Sequence, residues 1–252
     1  MNTKLIFAAA AFAGLMLGQA AKADSINLVT NGNFDQTTYT HNNQFGSPYG
    51  GQGVTGWTGG SGYQLYFFGG KAASDSADSQ YDSGYDTGAE KFYTVGGGSP
   101  TGGTGNFVAL DGDASVGGGG SISQTINGLT IGTQYQVSFT WGAGQLQSRS
   151  GATVQDVLVS LGGQSFATSS VNVASQGFSG WLTQTFTYTA TASSETLTFL
   201  GQGSPTGLPP IVALDGISMT AVPEPASIAM FIVGLGALGF FYRRRRAQSQ
   251  AI

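Results

Sequence analysis

Apolar and polar residues alternate through much of the second half of the chain. In residues 134–141 (QYQVSFTW), Tyr135, Val137, Phe139 and Trp141 share one face. A period of two marks a half-buried strand, because successive side chains leave opposite faces. Residues 181–189 (WLTQTFTYT) repeat the pattern, with Gln184, Phe186 and Tyr188 on one side. Residues 154–161 (VQDVLVSL) predict a third strand, Gly162 and Gly163 a two-residue turn, and residues 164–168 (QSFAT) the returning strand. Residues 195–200 (ETLTFL) and 211–219 (IVALDGISM) close the series, and Asn127-Gly128 and Ile131-Gly132 punctuate it. Glycine supplies 42 of 252 residues, and no long window carries strong helix formers. Many short strands with glycine turns predict an all-β body, a jelly-roll-like β-sandwich whose threonine-rich outer faces are wet.

The two ends depart from this pattern. Residues 5–17 are largely apolar, follow Lys4, and lead to Ala21-Lys22-Ala23. A positive start, a short apolar run and an A-x-A site read as a cleavable signal peptide over residues 1–23, cut after Ala23. The other reading, a buried N-terminal helix, would require a polar face that the run lacks. A second uncharged run covers residues 226–242 and is followed at once by Arg243, Arg244, Arg245 and Arg246. Its length sits at the short end of the ~17–25 residues of a spanning helix. The arginines should stay on the cytoplasmic side, which leaves the body outside. The expected organisation is a signal peptide at 1–23, a β-sandwich at 24–221, a tail at 222–246 with a single transmembrane helix at 226–242, and a cytoplasmic end at 247–252.

Charge narrows the partners. Within residues 24–221 only Lys71, Lys91 and Arg149 oppose twelve acids, a net charge of −9. Such a surface repels nucleic-acid phosphates and suits divalent cations. There is no cysteine, so no disulfide supports the exported body. Residues 69–105 are irregular and hold Asp75, Asp78, Asp82 and Asp86 among Ser, Gly and Tyr, the composition of a long surface insertion. An internal echo is present: GSPTG at 98–102 precedes VALDG at 108–112, and GSPTG at 203–207 precedes VALDG at 212–216. Two readings stay open, equivalent loop–strand units that each present an outward Asp, or buried strands that leave a sheet through the same Asp-Gly turn.

The tail resembles the PEP-CTERM sorting signal. Val222, Pro223, Glu224 and Pro225 precede a short apolar stretch and then the block that begins Arg243-Arg244, in the order of that signal. The resemblance implies an exopolysaccharide-producing Gram-negative cell and processing near the Pro-Glu-Pro by an exosortase. It also implies anchoring in the cell membrane before processing, and then the cell surface or extracellular matrix. Two prolines independently force an extended, accessible stretch. The alternative is a plain single-pass anchor that is never cut.

The body is similar to galactose-binding-like jelly rolls, including carbohydrate-binding modules. The similarity rests on residues 27–35 (NLVTNGNFD), Gly56-Trp57, 106–112 (NFVALDG), 122–126 (ISQTI), 135–139 (YQVSF) and 214–217 (LDGI), in that order. It implies a structural Ca²⁺ held by the acid after the Asn-Gly-x-Phe motif and by an Asp of the last strand, here Asp35 and Asp215. Many relatives carry Glu where this chain has Asp35. Ca²⁺ takes six to eight oxygens, so backbone carbonyls would supply the rest. Otherwise the two acids bond turn amides.

Binding is expected rather than catalysis. His41 is the sole histidine and sits in a polar loop, and no Gly-x-Ser-x-Gly elbow is present. The glycine runs are not followed by a helix, as phosphate cradling needs. Aromatic residues crowd the first half; Trp57, Tyr81 and Tyr85 are the candidate sugar-stacking platforms, and filling of the core is the other reading, above all for Trp57. The favoured reading is a non-catalytic, surface-sorted module that binds exopolysaccharide or another cell-surface glycan. A structural matrix protein without a small ligand and a secreted hydrolase are the alternatives.

Overall fold

A computed structural model describes residues 26–45, 53–72, 91–93, 99–100, 103–115, 117–147, 149–208, 210–223 and 234–239. The signal peptide with Ala23, the candidates Tyr81 and Tyr85, and the tail residues Glu224, Pro225, Arg243 and Arg244 lie outside the described residues. Two compact units are present, Ile26–Ala221 and a second composed of Met1–Ser25 with Val222–Ile252. In the second unit Pro223 is exposed and residues 234–239 are helical. Among the described residues no helix is long and apolar enough to cross a membrane, and most of the span expected at 226–242 falls outside them.

Ile26–Ala221 is an all-β sandwich. Its strands are β1 (Asn43–Gln44), β2 (Thr58–Gly59), β3 (Gln64–Phe67), β4 (Phe107–Asp111), β5 (Ser121–Asn127), β6 (Gln134–Gly144), β7 (Thr153–Leu161), β8 (Gln164–Ala167), β9 (Val171–Val173), β10 (Leu182–Thr189), β11 (Ser194–Ser204) and β12 (Ile211–Ala221). One sheet runs β1-β3-β4-β12-β6-β10; the other runs β2-β5-β11-β7-β8, with β9 also on β7. All strand pairs are antiparallel.

The alternating positions fill the space between the sheets. Tyr135, Val137, Phe139 and Trp141 of β6 meet Val157, Val159, Leu197 and Phe199 of the facing sheet in one core. Phe139 and Phe199 join edge to face with centroids 5.1 Å apart, and both are wholly buried. Burying a side chain of this size contributes roughly 1.5–3 kcal/mol. At one margin of the sandwich Phe166 of β8 stacks on Phe186 of β10, 5.1 Å apart and 17° from parallel.

The echo resolves into a pair of neighbours. Val108, Ala109 and Leu110 of β4 lie opposite Leu214, Ala213 and Val212 of β12, so the repeated VAL segments pair with each other. Their Val and Leu side chains enter the core, whereas Ala109 and Ala213 face the other way. The Asp that ends each copy is buried, Asp111 to 4% and Asp215 to 0%. The outward reading of these acids is therefore corrected. Asp215 stands at a β-bulge where the β12–β6 register shifts before Ser218, and Gly216 takes the positive φ (61°) that the bulge requires.

The outer face of the β4-containing sheet is not wet as expected. Leu65, Phe67, Phe107, Ala109, Ile211 and Ala213 project from it into a second apolar cluster. Phe92 and the half-buried Phe178 and Trp181 cover them from loops. Gly142 and Gly144 leave room for those rings, since a Cβ at either would run into Phe178 or Phe92. The threonines of β10 and the outer positions of β7 do remain exposed or half-exposed, in keeping with their period.

Candidate functional site

The N-terminal segment 27–35 is a clasp. Asn27 Oδ1 accepts the Met219 amide (2.9 Å), the Leu28 amide donates to Met219 O (2.8 Å), and the Ile217 amide donates to Gly32 O (2.9 Å). No side chain fits at Gly32, because its Cβ would overlap Ile217 O. Asn31, at φ 52°, turns the chain, donates through Nδ2 to Gln36 O and Thr55 O, and accepts the Gln36 amide. Its carbonyl takes the Trp57 indole N–H at 3.0 Å.

That last bond fixes the place of Trp57. The indole is 7% exposed and packs on Phe34 (5.4 Å) and Phe199 (6.2 Å). Trp57 is thus a core residue and presents no open ring face to a sugar. The residues around it nevertheless form two shallow open grooves, of about 390 and 350 Å³, which share Trp57 and Thr58. They flank β2, which pairs with β5 over only two residues, Thr58↔Ser123 and Gly59↔Ile122. The first groove is walled by Thr30, Ser123, Gln124 and Thr125, the second by Gln44, Phe45, Gln64 and a run of glycines. Gln124 stitches the first wall together: its Oε1 accepts the Thr30 amide (2.8 Å) and its Nε2 donates to Thr30 O and Gly56 O (2.9 Å each). Gly56 (φ 83°) makes the turn that brings its carbonyl within reach. Among the described residues no ionisable side chain lines either groove.

A second arrangement joins Asp35 and Asp215 around Tyr66. Burial pushes the Tyr66 phenol above its ordinary value, and the nearby charges of Asp35 and then Asp215 add to the shift. The phenol donates to Phe34 O at 3.0 Å. Asp35 is half-buried and well supplied with donors: Asn33 Nδ2 (2.6 Å), Thr104 Oγ1 (2.5 Å), the Thr104 amide (3.2 Å) and Asn106 Nδ2 (3.2 Å). The turn-bonding alternative therefore describes Asp35 in this structure. Hard oxygen donors of the kind Ca²⁺ takes are present in Asp35, Asp215 and the neighbouring carbonyls. Among the described residues, however, no three acidic or imidazole groups converge. An ion would have to replace part of the donor set on Asp35.

The opposite end of the β4–β12 pair holds a carboxylate couple that the sequence did not single out as a pair. Burial raises Asp111 to about 6, although its Oδ1 accepts the Asp113 amide (2.8 Å). Burial also acts to raise Asp113, but bonds from the Ser115 hydroxyl (2.6 Å), the Gly207 amide (2.6 Å) and the Ser115 amide (2.8 Å) outweigh it and hold this carboxyl below its ordinary value. The spacing Asp-Gly-Asp-x-Ser after a buried strand was the available signal. His41 lies elsewhere, with Thr40 Oγ1 3.2 Å from Nδ1 and Asn43 Nδ2 3.4 Å from Nε2.

Comparisons with known proteins complete the picture. Residues 221–246 match the PEP-CTERM protein-sorting motif, so the chain carries that signal. Residues 94–213 match a protein family of unknown function, DUF642. No curated protein matches the chain. Among solved structures, the chain resembles the C-terminal domain of EclA, a sugar-binding protein, at 17% identity and TM-score 0.31, over 39% of this chain and 64% of that one. It resembles the enzymatically active domain of bacteriophage CBA120 tailspike protein 4 at 14% identity and TM-score 0.38, spanning 78% of this chain but 22% of that one. The xylan-binding CBM22-1 domain of Xyn10C from Paenibacillus barcinonensis is similar at 15% identity and TM-score 0.38, over 82% of this chain and all of that one.

Proposed function

We propose that this protein is exported, sorted to the cell surface through its PEP-CTERM tail, and binds extracellular polysaccharide there without catalysis, through a jelly-roll body. The observation that carries the reading is the pair of grooves beside β2. Among the described residues their walls are hydroxyls, amides and glycine backbone together with Trp57 and Phe45, without an ionisable side chain, and the two share Trp57 and Thr58. Such a surface is matched to an uncharged polyol, whose hydroxyls exchange hydrogen bonds with Thr, Ser and Gln side chains. Glycoside hydrolysis would need two carboxyl groups flanking the ligand, and the described residues of the grooves include none. In this reading an exosortase cuts the tail near Pro223, Glu224 and Pro225, and a Ca²⁺ at Asp35 and Asp215 serves only to stiffen the loops behind the grooves.

The test is retention of the full chain on immobilised polysaccharides, including exopolysaccharide of the producing cell, with and without Ca²⁺. Retention should fall at least tenfold in Ser123→Arg, which fills the first groove from a half-buried position of β5 that lines it and lies outside the hydrophobic core. If no polysaccharide retards the wild-type chain, or if Ser123→Arg binds as well as wild type, the groove reading is wrong.

A further inference from the structure

Strands at the margin of a sheet expose a row of unpaired backbone groups, and proteins blunt such margins by shortening them or by adding charge or proline. Three of the margins here are short: β1 and β2 have two residues each, and β8 has four. β10 is the exception among the described residues. It runs eight residues, Leu182–Thr189, in unbroken register with β6, and pairs with β6 alone. Its sequence, LTQTFTYT, contains no charge, no proline and no glycine.

The direction of its backbone groups follows from β6. Ala143 of β6 donates its amide to Ser179 Oγ (2.9 Å) and accepts the Ser179 amide (2.9 Å), so it faces the β10 side. Alternate residues of a strand point their N–H and C=O the same way, so Trp141, Phe139, Val137 and Tyr135 face β10 as well. Their partners Leu182, Gln184, Phe186 and Tyr188 bond back to β6. The backbone groups of Thr183, Thr185 and Thr187 therefore point out of the sheet. Two side-chain contacts agree with this parity: Gln164 Nε2 reaches Thr189 O at 3.1 Å, and Gln184 Nε2 reaches Thr185 O at 3.4 Å. Thr183, Thr185, Thr187 and Thr189 are all exposed.

We propose that β10 is a pairing edge that joins two copies of this chain through an antiparallel β10–β10 ladder. The strip is self-complementary. A two-fold axis at Thr185 sets Thr183 against Thr187 of the second copy and Thr185 against its own counterpart, and each such pair can exchange two N–H···O bonds. Threonine pairs across strands are themselves favourable. The body's net charge of −9 opposes association of copies in general, and the uncharged β10 edge is where that opposition is least. The sorting motif at 221–246 also gathers copies in one plane, which raises their effective concentration.

The full chain in detergent, followed by analytical ultracentrifugation and hydrogen exchange across a concentration series, tests this. The wild-type chain should dimerise, and amide exchange in 182–189 should slow at least tenfold at concentrations where the dimer forms. Thr185→Pro deletes one outward N–H and keeps every bond to β6, as edge strands tolerate. Thr185→Lys keeps the backbone and places like charges opposite one another. Each should move dimerisation to at least tenfold higher concentration with little change in melting temperature. Should Thr185→Pro fail to fold, Thr185→Lys decides. Exchange in 182–189 that is independent of concentration, protection that requires a different added protein, or a dimer that survives Thr185→Lys would each overturn the proposal.

Discussion

At one end of the β4–β12 pair the half-buried Asp35 closes the loop that leads into β4; at the other, Asp113, 2% exposed, closes the loop that leads into β12. The two loops carry the same GSPTG sequence and the two strands the same VALDG. Each carboxylate accepts a backbone amide of its loop, from Thr104 in one case and Gly207 in the other. What differs is the surroundings. Asp35 reaches in from the N-terminal clasp and is half-buried, whereas Asp113 is two residues beyond β4 and shut in with Ser115. The same loop sequence is therefore held by a replaceable contact at one end and by a fixed one at the other. Burial, not sequence, sets that difference.

The largest expected effect is the loss of the buried closure. Asp113→Ala strands the Gly207 and Ser115 donors and should cost about 3 kcal/mol, against about 1 kcal/mol for Asp35→Ala, whose donors can turn to water. Urea midpoints of the two variants check this, and equal losses would erase the distinction between the ends. Glycines in the loops sharpen it. Gly103 and Gly207 both have positive φ, 64° and 80°, but a Cβ at Gly103 meets the Asp35 carboxylate and Asn33, while nothing lies within 4 Å at Gly207. Gly207→Ala should cost about 1 kcal/mol of backbone strain alone and Gly103→Ala about 2 kcal/mol or more. Thermal denaturation of the pair that ranks them the other way would contradict the contact.

A pH dependence should also arise at the buried end. Asp111 has its carboxyl raised to about 6 in the folded protein. Between its ordinary value near 4 and about 6, the folded state holds the proton that the unfolded state has released, so stability falls as pH rises through this window. Asp113 works in the opposite sense: its lowered carboxyl contributes stability at neutral pH that is lost only as pH falls through its folded value. Asp111→Asn keeps the acceptor for the Asp113 amide and removes the titration. Its melting temperature should vary less between pH 4 and pH 7 than that of wild type, and an unchanged profile would show that Asp111 does not titrate there.

The strands of the second half were legible because their period of two is unbroken. β6, β7, β8 and β10 fall where the sequence places them, with Tyr135, Val137, Phe139 and Trp141 of β6 and Tyr188 of β10 inward as predicted. The echo was legible as a repeat, but its self-pairing depends on which strands become neighbours, and period carries no such information. The cover on the outer face was hidden for a similar reason. Phe92 and Phe178 come from segments with no period, and only the smallness of Gly142 and Gly144 hints that rings lie above β6. Trp57 had the setting of an exposed platform, a lone aromatic among glycines, yet Phe34 and Phe199 from distant segments enclose it. Asp35 and Asp215 come from opposite ends of the sequence, and both act on the Tyr66 phenol.

β12 is the last strand before the sorting motif, and it lies between β4 and β6 rather than at a margin. Tension applied through the tail would enter the body along this strand, parallel to it. The ladders to both neighbours would then be sheared together instead of being peeled one bond at a time, and the Asn27–Leu28 clasp at Met219 sits where the pull begins. With the exit strand at the centre of the sheet, a pull on the tail would have to shear two ladders before the body could open.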